Sequence, residues 1–538
     1  MSRLSQVENI RQKLLLSETG SIVKEGFFPL EVGLTALSPY ELAMDSLGFQ
    51  TVYRLFNEHP GVRCERIFCL DRENPADEKS WISLESGRKL SQFSVLAVSL
   101  SYEKDCLILP ELLEAAGLPF YSGKRGDDYP LVFCGGPVIT ANPEPVAPFV
   151  DVCGIGDGEV LVPAFIEACL ESLQRRLSRQ ELLLALAARG GFYVPAFYEP
   201  ELSGASPLLV PVPKVKGAPE RLARAVHSLD GTPAHSVIVS RATHFRSMFL
   251  VEIARGCGWG CRFCLVSRIN RPYRPVKADR VFEVLEKALP GTRAVGLVGA
   301  NLCDHPQLET ILEWLVGNGF QLGVSSLRLD TVSERLLSLI RECGVKNVTL
   351  APETASVELL AATGKNYEPR QLLDAVKLVA GRRFESLKLY YMIGLPDECE
   401  SDRMALAEQV NEISDLIPAG MGLKVSVNPF IPKPQSAWQD EPMLEPLLIR
   451  KSLRMIRRKI RSGSGGKVDF QAGTVAEALT QAVISVGDRK VARALELAAG
   501  GKRRFLDCLN PAGIEIESLL HQRGGQVRPH PWRILEEG

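Results

Sequence analysis

Apolar residues in the first part of the chain come in short continuous runs, at 30–37, 63–70, 95–101, 131–134 and 152–155. Runs this short and this uniformly apolar predict strands covered on both faces. Between them, 39–57 and 105–116 repeat apolar positions at helical spacing. The alternation predicts an α/β fold over residues 1–190, a doubly wound, mostly parallel sheet with helices on its faces. Such sheets take their ligands at the carboxyl ends of the strands. Here those ends carry Ser101-Tyr102, Gly135-Gly136-Pro137 and Gly154-Ile155-Gly156-Asp157-Gly158-Glu159.

The pattern then breaks. Residues 191–243 hold Pro195, Pro200, Pro207, Pro211, Pro213, Pro219 and Pro233 and no sustained period, which predicts an extended connector. Strand and helix alternate again from 244 to 440. Six strands are expected, at 248–254, 294–298, 321–325, 347–351, 386–393 and 422–427, with helices at 278–289, 307–318, 333–342 and 369–379. Six βα units predict a partial barrel whose chemistry lies at the carboxyl ends of its strands. Residues 441–538 read as a small helical region, beginning with a helix over 447–461. That helix is locally basic, through Arg450, Lys451, Arg454, Arg457, Arg458, Lys459 and Arg461.

Length and charge narrow the picture. At roughly 150 residues per domain, 538 residues suggest about three domains. Lysine and arginine number 63 against 64 acidic residues, so bulk charge gives no reason to expect nucleic acid. No stretch of about 18 apolar residues occurs, which excludes a membrane-spanning helix. The opening residues show neither an apolar signal core nor a small-residue cleavage site, so a cytoplasmic location is expected. In a reducing compartment most of the thirteen cysteines should be free thiols rather than disulfides.

Three of the cysteines fall within eight residues, in Cys257-Gly258-Trp259-Gly260-Cys261-Arg262-Phe263-Cys264. The spacing CxxxCxxC can bring three soft ligands to one metal centre, with Gly256, Gly258 and Gly260 letting the loop turn tightly. A structural zinc site would want a fourth ligand. The next cysteine is Cys303, and no histidine lies nearby in sequence. An iron-sulfur cubane fits three thiolates better, leaving one iron open to a substrate. His305, in the turn after the second barrel strand, has two readings: a ligand or proton carrier, or a satisfied turn residue.

This spacing, after the first strand of a six-unit barrel, resembles the radical S-adenosylmethionine (SAM) enzymes. The resemblance implies a 4Fe-4S cluster on Cys257, Cys261 and Cys264, whose open iron chelates SAM. It also implies reductive cleavage of SAM to a 5′-deoxyadenosyl radical. Further residues carried over are Phe263, Gly299 and Ala300 at the second strand end, Ser326 and Arg328 after the third, Glu353 on the fourth and Met392 on the fifth. No Glu follows Gly299-Ala300, and Thr354-Ala355-Ser356 departs from the usual small-Gly-Ser. Thr363-Gly364-Lys365 lacks the glycine a phosphate loop needs at Leu359 and is rejected as one.

The Gly135-Gly136, Asn142-Pro143-Glu144-Pro145 and Gly154–Glu159 segments resemble the later half of a Rossmann-like cobalamin-binding domain, as found ahead of the barrel in one subgroup of these enzymes. Gly135, Gly136, Gly156 and Gly158 would then face the cofactor. The lower-ligand signature Asp-x-His-x-x-Gly occurs nowhere in the chain, and some radical members bind cobalamin without it, so the cofactor stays open. The function expected is a radical SAM enzyme, with cobalamin-dependent methyl transfer to an unactivated carbon as its first form. A radical SAM enzyme without cobalamin, catalysing a rearrangement, coupling or sulfur insertion, is the alternative. A non-enzymatic iron-sulfur sensor or RNA-binding protein is a third class, against which near-neutral charge and the lack of an RNA-binding signature speak. The expected partners are a small-molecule or macromolecular substrate and a one-electron reductant such as flavodoxin or ferredoxin.

Overall fold

A computed structural model of the chain describes residues 3–203, 207–288, 292–365, 367–501, 503–522 and 529–535. The helix expected over 278–289 therefore ends outside the described residues. The first sheet has seven strands: β1 (Leu30–Ala36), β2 (Val62–Cys69), β3 (Trp81–Ser83), β4 (Val95–Ser99), β5 (Leu131–Gly135), β6 (Val152–Gly154) and β7 (Phe192–Tyr193). Their order is β3-β2-β1-β4-β5-β6-β7. The inner five are parallel, with Leu34 opposite Ala97 and Val98 opposite Cys134. The two edges, β3 and β7, are antiparallel. Helices α1 (Leu47–Glu58) and α2 (Gly158–Arg175) pack together on one face. Covered on both faces, β1 and β4 are buried almost throughout, which is why they read as unbroken apolar runs.

The second sheet is in two parallel pieces. One is β8 (Met248–Glu252), β9 (Ala294–Val298) and β10 (Gln321–Gly323). The other runs β11 (Asn347–Glu353), β12 (Ser386–Ile393), β13 (Gly422–Pro429) and β14 (Val468–Gln471). A parallel bridge between Leu327 and Leu350 links them. Helices separate the strands: α3 (Ala278–Glu286), α4 (Leu308–Gly317), α5 (Glu334–Glu342), α6 (Val357–Thr363), α7 (Pro369–Ala380), α8 (Glu400–Leu416) and α9 (Pro446–Gly463). Alternate residues such as Leu387, Leu389, Val425 and Val427 are buried. Met392, in the opposite set of β12, is only half-buried.

The α/β class and parallel barrel agree with the sequence pattern, and the sheet goes one strand further. Val468–Gln471 adds to β13 in parallel, Val425 opposite Phe470. Four residues that alternate half-buried and exposed leave too short a trace to stand out beside a basic helix. Beyond it, α10 (Val475–Val486) and α11 (Lys490–Ala498) return to the first domain. Asn142 Nδ2 donates to the carbonyls of Ser485 (3.0 Å) and Gly487 (2.9 Å). Arg489 Nε donates to Glu144 Oε2 at 2.6 Å, and Arg489 Nη2 to the Tyr193 hydroxyl at 2.7 Å. Glu144 is fully buried, so this pair fastens the tail to the first sheet. Among the described residues, no helix is long and apolar enough to cross a membrane.

Candidate functional site

The cysteine loop leaves the barrel just after β8. Ala254–Arg255 pairs antiparallel with Arg274–Pro275, and between those two strands the chain carries all three cysteines. Gly256 has φ +80°, and a Cβ there would meet Asn270 O at 2.4 Å and Pro272 O at 2.8 Å. That position requires glycine. Gly258 and Gly260 have open space beside them, so packing does not impose them, contrary to the expectation that all three glycines shape the turn. Cys257, Cys261 and Cys264 are all half-buried free thiols, and the Cys264 N–H donates to Cys261 O at 3.1 Å. Burial pushes the Cys257 and Cys261 thiols up; Cys264 adds to the rise at both, and Cys257 adds to it at Cys261. Arg328 acts in the opposite direction on Cys257, and Lys365 does so on Cys261.

Among the described residues, no three potential ligands close around a single metal ion. Three thiols within electrostatic range of one another can hold a cluster, in which each thiolate takes a different iron.

Four neighbours back the loop, and the sequence pointed to only some of them. Arg262 N–H donates to Thr363 O at 2.9 Å, and Trp438 N–H donates to Arg262 O at 3.0 Å. The rejected phosphate-loop segment is thus a wall of the cysteine loop. Lys365 Nζ donates to Glu353 Oε1 at 2.6 Å and to Ala351 O at 2.9 Å. Glu353, at φ +67°, is held in the left-handed region unusual for a non-glycine residue. The Arg328 guanidinium lies 3.5 Å from the Trp259 ring centroid and donates through Nε to Asp330 Oδ1 at 2.8 Å. Arg328 therefore stands beside the loop as expected, with a carboxylate partner of its own already in place. The Trp259 indole N–H donates in turn to Asp304.

The remaining expected residues divide. Phe263 and Met392 meet in one apolar cluster with Leu359, Leu395, Phe430 and Trp438. Gly299 is half-buried, and a Cβ on it would lie 3.3 Å from Ala254 O. Ala300 and Ser326 are exposed. Next to Ala300, Asn301 is buried with neither end of its amide bonded, an arrangement that ordinarily signals a missing partner. The sequence lacks a Glu at this point, and no motif singles out Asn301 in its place. His305 takes the structural role: Nε2 donates to Val276 O at 2.8 Å, Nδ1 accepts from Gln307 N–H at 3.1 Å, and burial holds its pKa low.

A cavity of about 410 Å³ lies where the first sheet meets the barrel. Its walls include Ser99, Gly135, Gly136, Gly156 and Gly158 from the first domain and Glu252, Arg255 and Asn270 from the second. The volume falls in the usual range of small-molecule sites. Gly136 (φ +105°) and Gly156 (φ +117°) are both forced: a Cβ would meet Leu100 O at 2.6 Å and Ala225 O at 2.1 Å. No histidine is among the described residues lining the cavity. The acids of the Gly154–Glu159 segment turn to arginines of the barrel. Arg255 pairs with Glu159 at 2.7 Å, Glu252 at 2.7 Å and Asp157 at 3.1 Å, and Arg274 pairs with Asp157 at 2.6 Å.

Comparison with known proteins follows the same two blocks. Residues 48–195 match the family model described as radical SAM proteins, N-terminal, and residues 251–410 match that of the radical SAM superfamily. The chain is a radical SAM enzyme and belongs to that superfamily, with the N-terminal domain that precedes the barrel in part of it. The family implies a 4Fe-4S cluster and SAM as cofactors. The uncharacterized protein MJ0966 of Methanocaldococcus jannaschii is 24% identical over 435 residues, covering 79% of this chain and 86% of that one. The ribosomal protein uS12 methylthiotransferase RimO of Syntrophobacter fumaroxidans is 27% identical over 205 residues, 35% of this chain and 44% of that one. The match thus spans less than half of the methylthiotransferase. The radical SAM methyltransferase TsrM of Kitasatospora setae, solved with cobalamin and a 4Fe-4S cluster bound, superposes with a TM-score of 0.50 at 13% identity over 74% of each chain. That likeness is one of fold.

Proposed function

We propose that this chain is a cobalamin-dependent radical SAM methyltransferase. The observation that carries the reading is the cavity between the two domains, walled by the strand-end glycines on one side and by the barrel residues leading into the cysteine loop on the other. In this reading Cys257, Cys261 and Cys264 hold the cluster. Arg328, Asn301 and Glu353 meet the polar groups of SAM, and Phe263 and Met392 supply an apolar wall. When bound, the cluster supplies the electron that cleaves SAM, and cobalamin supplies the methyl group.

The chain's own contribution is placement and shielding. Gly135, with open space where a Cβ would stand, keeps the carboxyl end of β5 free of a side chain, so a flat ligand can approach the backbone there, while Gly136 and Gly156 are required by the protein's own turns. Among the described lining residues none is a histidine, so no imidazole would be among the groups that hold the corrin. Asn301 offers an unspent donor and an unspent acceptor to the amino and carboxylate groups of a methionyl moiety. The apolar cluster around Phe263 and Trp438 excludes water from one side of the loop.

The test is reconstitution of the anaerobic, iron-loaded protein with hydroxocobalamin, followed by desalting. About one cobalt per chain and a corrin absorption spectrum support the reading. A desalted protein that carries cluster iron but no cobalt sinks it and returns the chain to radical chemistry without cobalamin.

A further inference from the structure

We propose that the exposed face of α9 is a docking strip for single-stranded RNA. Helix α9 buries Ile449, Ser452, Ile456 and Ile460 against the barrel. Arg450, Arg454, Arg458 and Arg461 stand on the outer side at positions i, i+4, i+8 and i+11, one stripe of a helix, and all four are exposed. Successive members rise by about 6 Å or less along the axis. Arg457 joins the same stripe and lies 5.1 Å from the Phe470 ring centroid.

The distribution of partners is selective. The two lysines of the helix reach the neighbouring α8, Lys451 to Glu400 at 3.4 Å and Lys459 to Glu408 at 3.5 Å. No carboxylate among the described residues is within ion-pair distance of Arg450, Arg454, Arg458 or Arg461. Four guanidiniums in one row, inside a chain of net charge −1, are thus left without a carboxylate partner. The planar guanidinium fork matches phosphate oxygens, and a periodic row matches the repeating phosphates of one strand.

Other occupants fit less well. An inserting membrane helix needs a continuous free apolar face; α9 exposes Leu447 and Leu448 only in its first turn and buries Ile449, Ile456 and Ile460 along the rest of its length. Duplex nucleic acid would bring its second strand toward α8, which exposes Glu412 and Asp415 beyond the two acids already paired with Lys451 and Lys459. One basic row flanked by an acidic one accepts a single strand and repels the next. Single-stranded nucleic acid in a cell is chiefly RNA. Bulk charge hides this strip because the acids elsewhere cancel it, and contacts confined to phosphates would give binding without sequence preference.

The test uses the full-length reconstituted protein and a fluorescein-labelled 20-nucleotide oligouridylate, with anisotropy read between about 50 and 200 mM salt. If four phosphates are neutralised, log K falls against log salt with a slope of about −3, an affinity loss of about fifty-fold across that range. The quadruple variant R450Q/R454Q/R458Q/R461Q should lose the salt dependence and at least tenfold in affinity at the low-salt end. K451Q/K459Q, whose lysines are already paired, should bind like the parent. Circular dichroism and iron content check that the variants are folded and loaded, so failure of the cluster and failure of the strip are told apart. Equal binding by the quadruple variant overturns the proposal. So does tighter binding of duplex DNA, polyglutamate or phosphatidylserine vesicles than of the oligouridylate.

Discussion

Arg255, two residues before the first cysteine of the loop, grips Glu159 of the first domain with both terminal nitrogens, at 2.7 and 3.0 Å. The same guanidinium group holds Glu252 on the strand it has just left, with Nη2 donating at 2.7 Å. One side chain therefore ties the first domain to the base of the cysteine loop, beside the cavity they share. Replacing it leaves Glu252, which is buried, and Glu159, which is largely so, without their cation. R255Q should lower stability by about 3–5 kcal/mol, as removing one member of a buried ion pair does, and should lower iron content with it. R255K, with one ammonium for three carboxylates, should fall between. Apparent melting temperature and iron per chain, read side by side, check both statements.

The same hub sets a pH dependence. Burial acts to raise Asp157 and Glu159; Arg255 outweighs it at Glu159, Arg255 with the His227 N–H and Arg274 outweighs it at Asp157, and both carboxyls lie below their ordinary values. A depressed carboxyl contributes stability above its unfolded pKa, and that stability is lost as pH falls through the folded one. The apparent melting temperature should hold between about pH 5 and 8 and fall below about pH 4, the ordinary carboxylate range. Burial pushes Glu252 up, so it works with the opposite sign and blunts the fall. In R255Q the acid-side loss should shrink. Parallel profiles for the two proteins would remove Arg255 as the cause.

Single Ala variants at Cys257, Cys261 and Cys264 should lose the broad absorbance near roughly 400 nm that thiolate-ligated clusters show. The paired control is Cys343, which is buried after α5 with its sulfur toward Leu312 O. C343A should keep both cluster and turnover, and its effect should be confined to a modest loss of packing. Full iron in any of the three loop variants would argue against the ligand assignment.

What could be read from the sequence, and what could not, follows the range of each interaction. β1 and β4 were legible because strands covered on both faces are continuous apolar runs, and the cysteine loop because three soft ligands fall within eight residues. Arg255 and Glu159 are 96 positions apart, and nothing local in either segment announces the other. Gly154–Glu159 read as a cofactor turn, while the structure also turns its two acids to barrel arginines. Thr363-Gly364-Lys365 failed as a phosphate loop, and its role against Arg262 and Glu353 appears only when α6 folds back. β14 was missed because four half-exposed residues carry almost no period.

Arg328 separates two roles. Its guanidinium already bonds Asp330 and covers Trp259, which leaves donors free toward the loop. If it also holds the methionyl carboxylate, R328M should weaken SAM binding by about 1.5–3 kcal/mol, the worth of a hydrogen bond to a charged group. Iron content should not change. Equilibrium binding of SAM to the iron-loaded variant reads this directly, and unaltered affinity would leave Arg328 as a brace for Trp259.

The most direct measurement is 5′-deoxyadenosine formation by the reconstituted, chemically reduced protein incubated with SAM under strict anaerobiosis, quantified by mass spectrometry without any added substrate. Slow accumulation is predicted, absent after exposure to air and absent in C261A. An iron-loaded parent that forms none, or a C261A protein that forms as much as the parent, would contradict the assignment of radical chemistry to this loop.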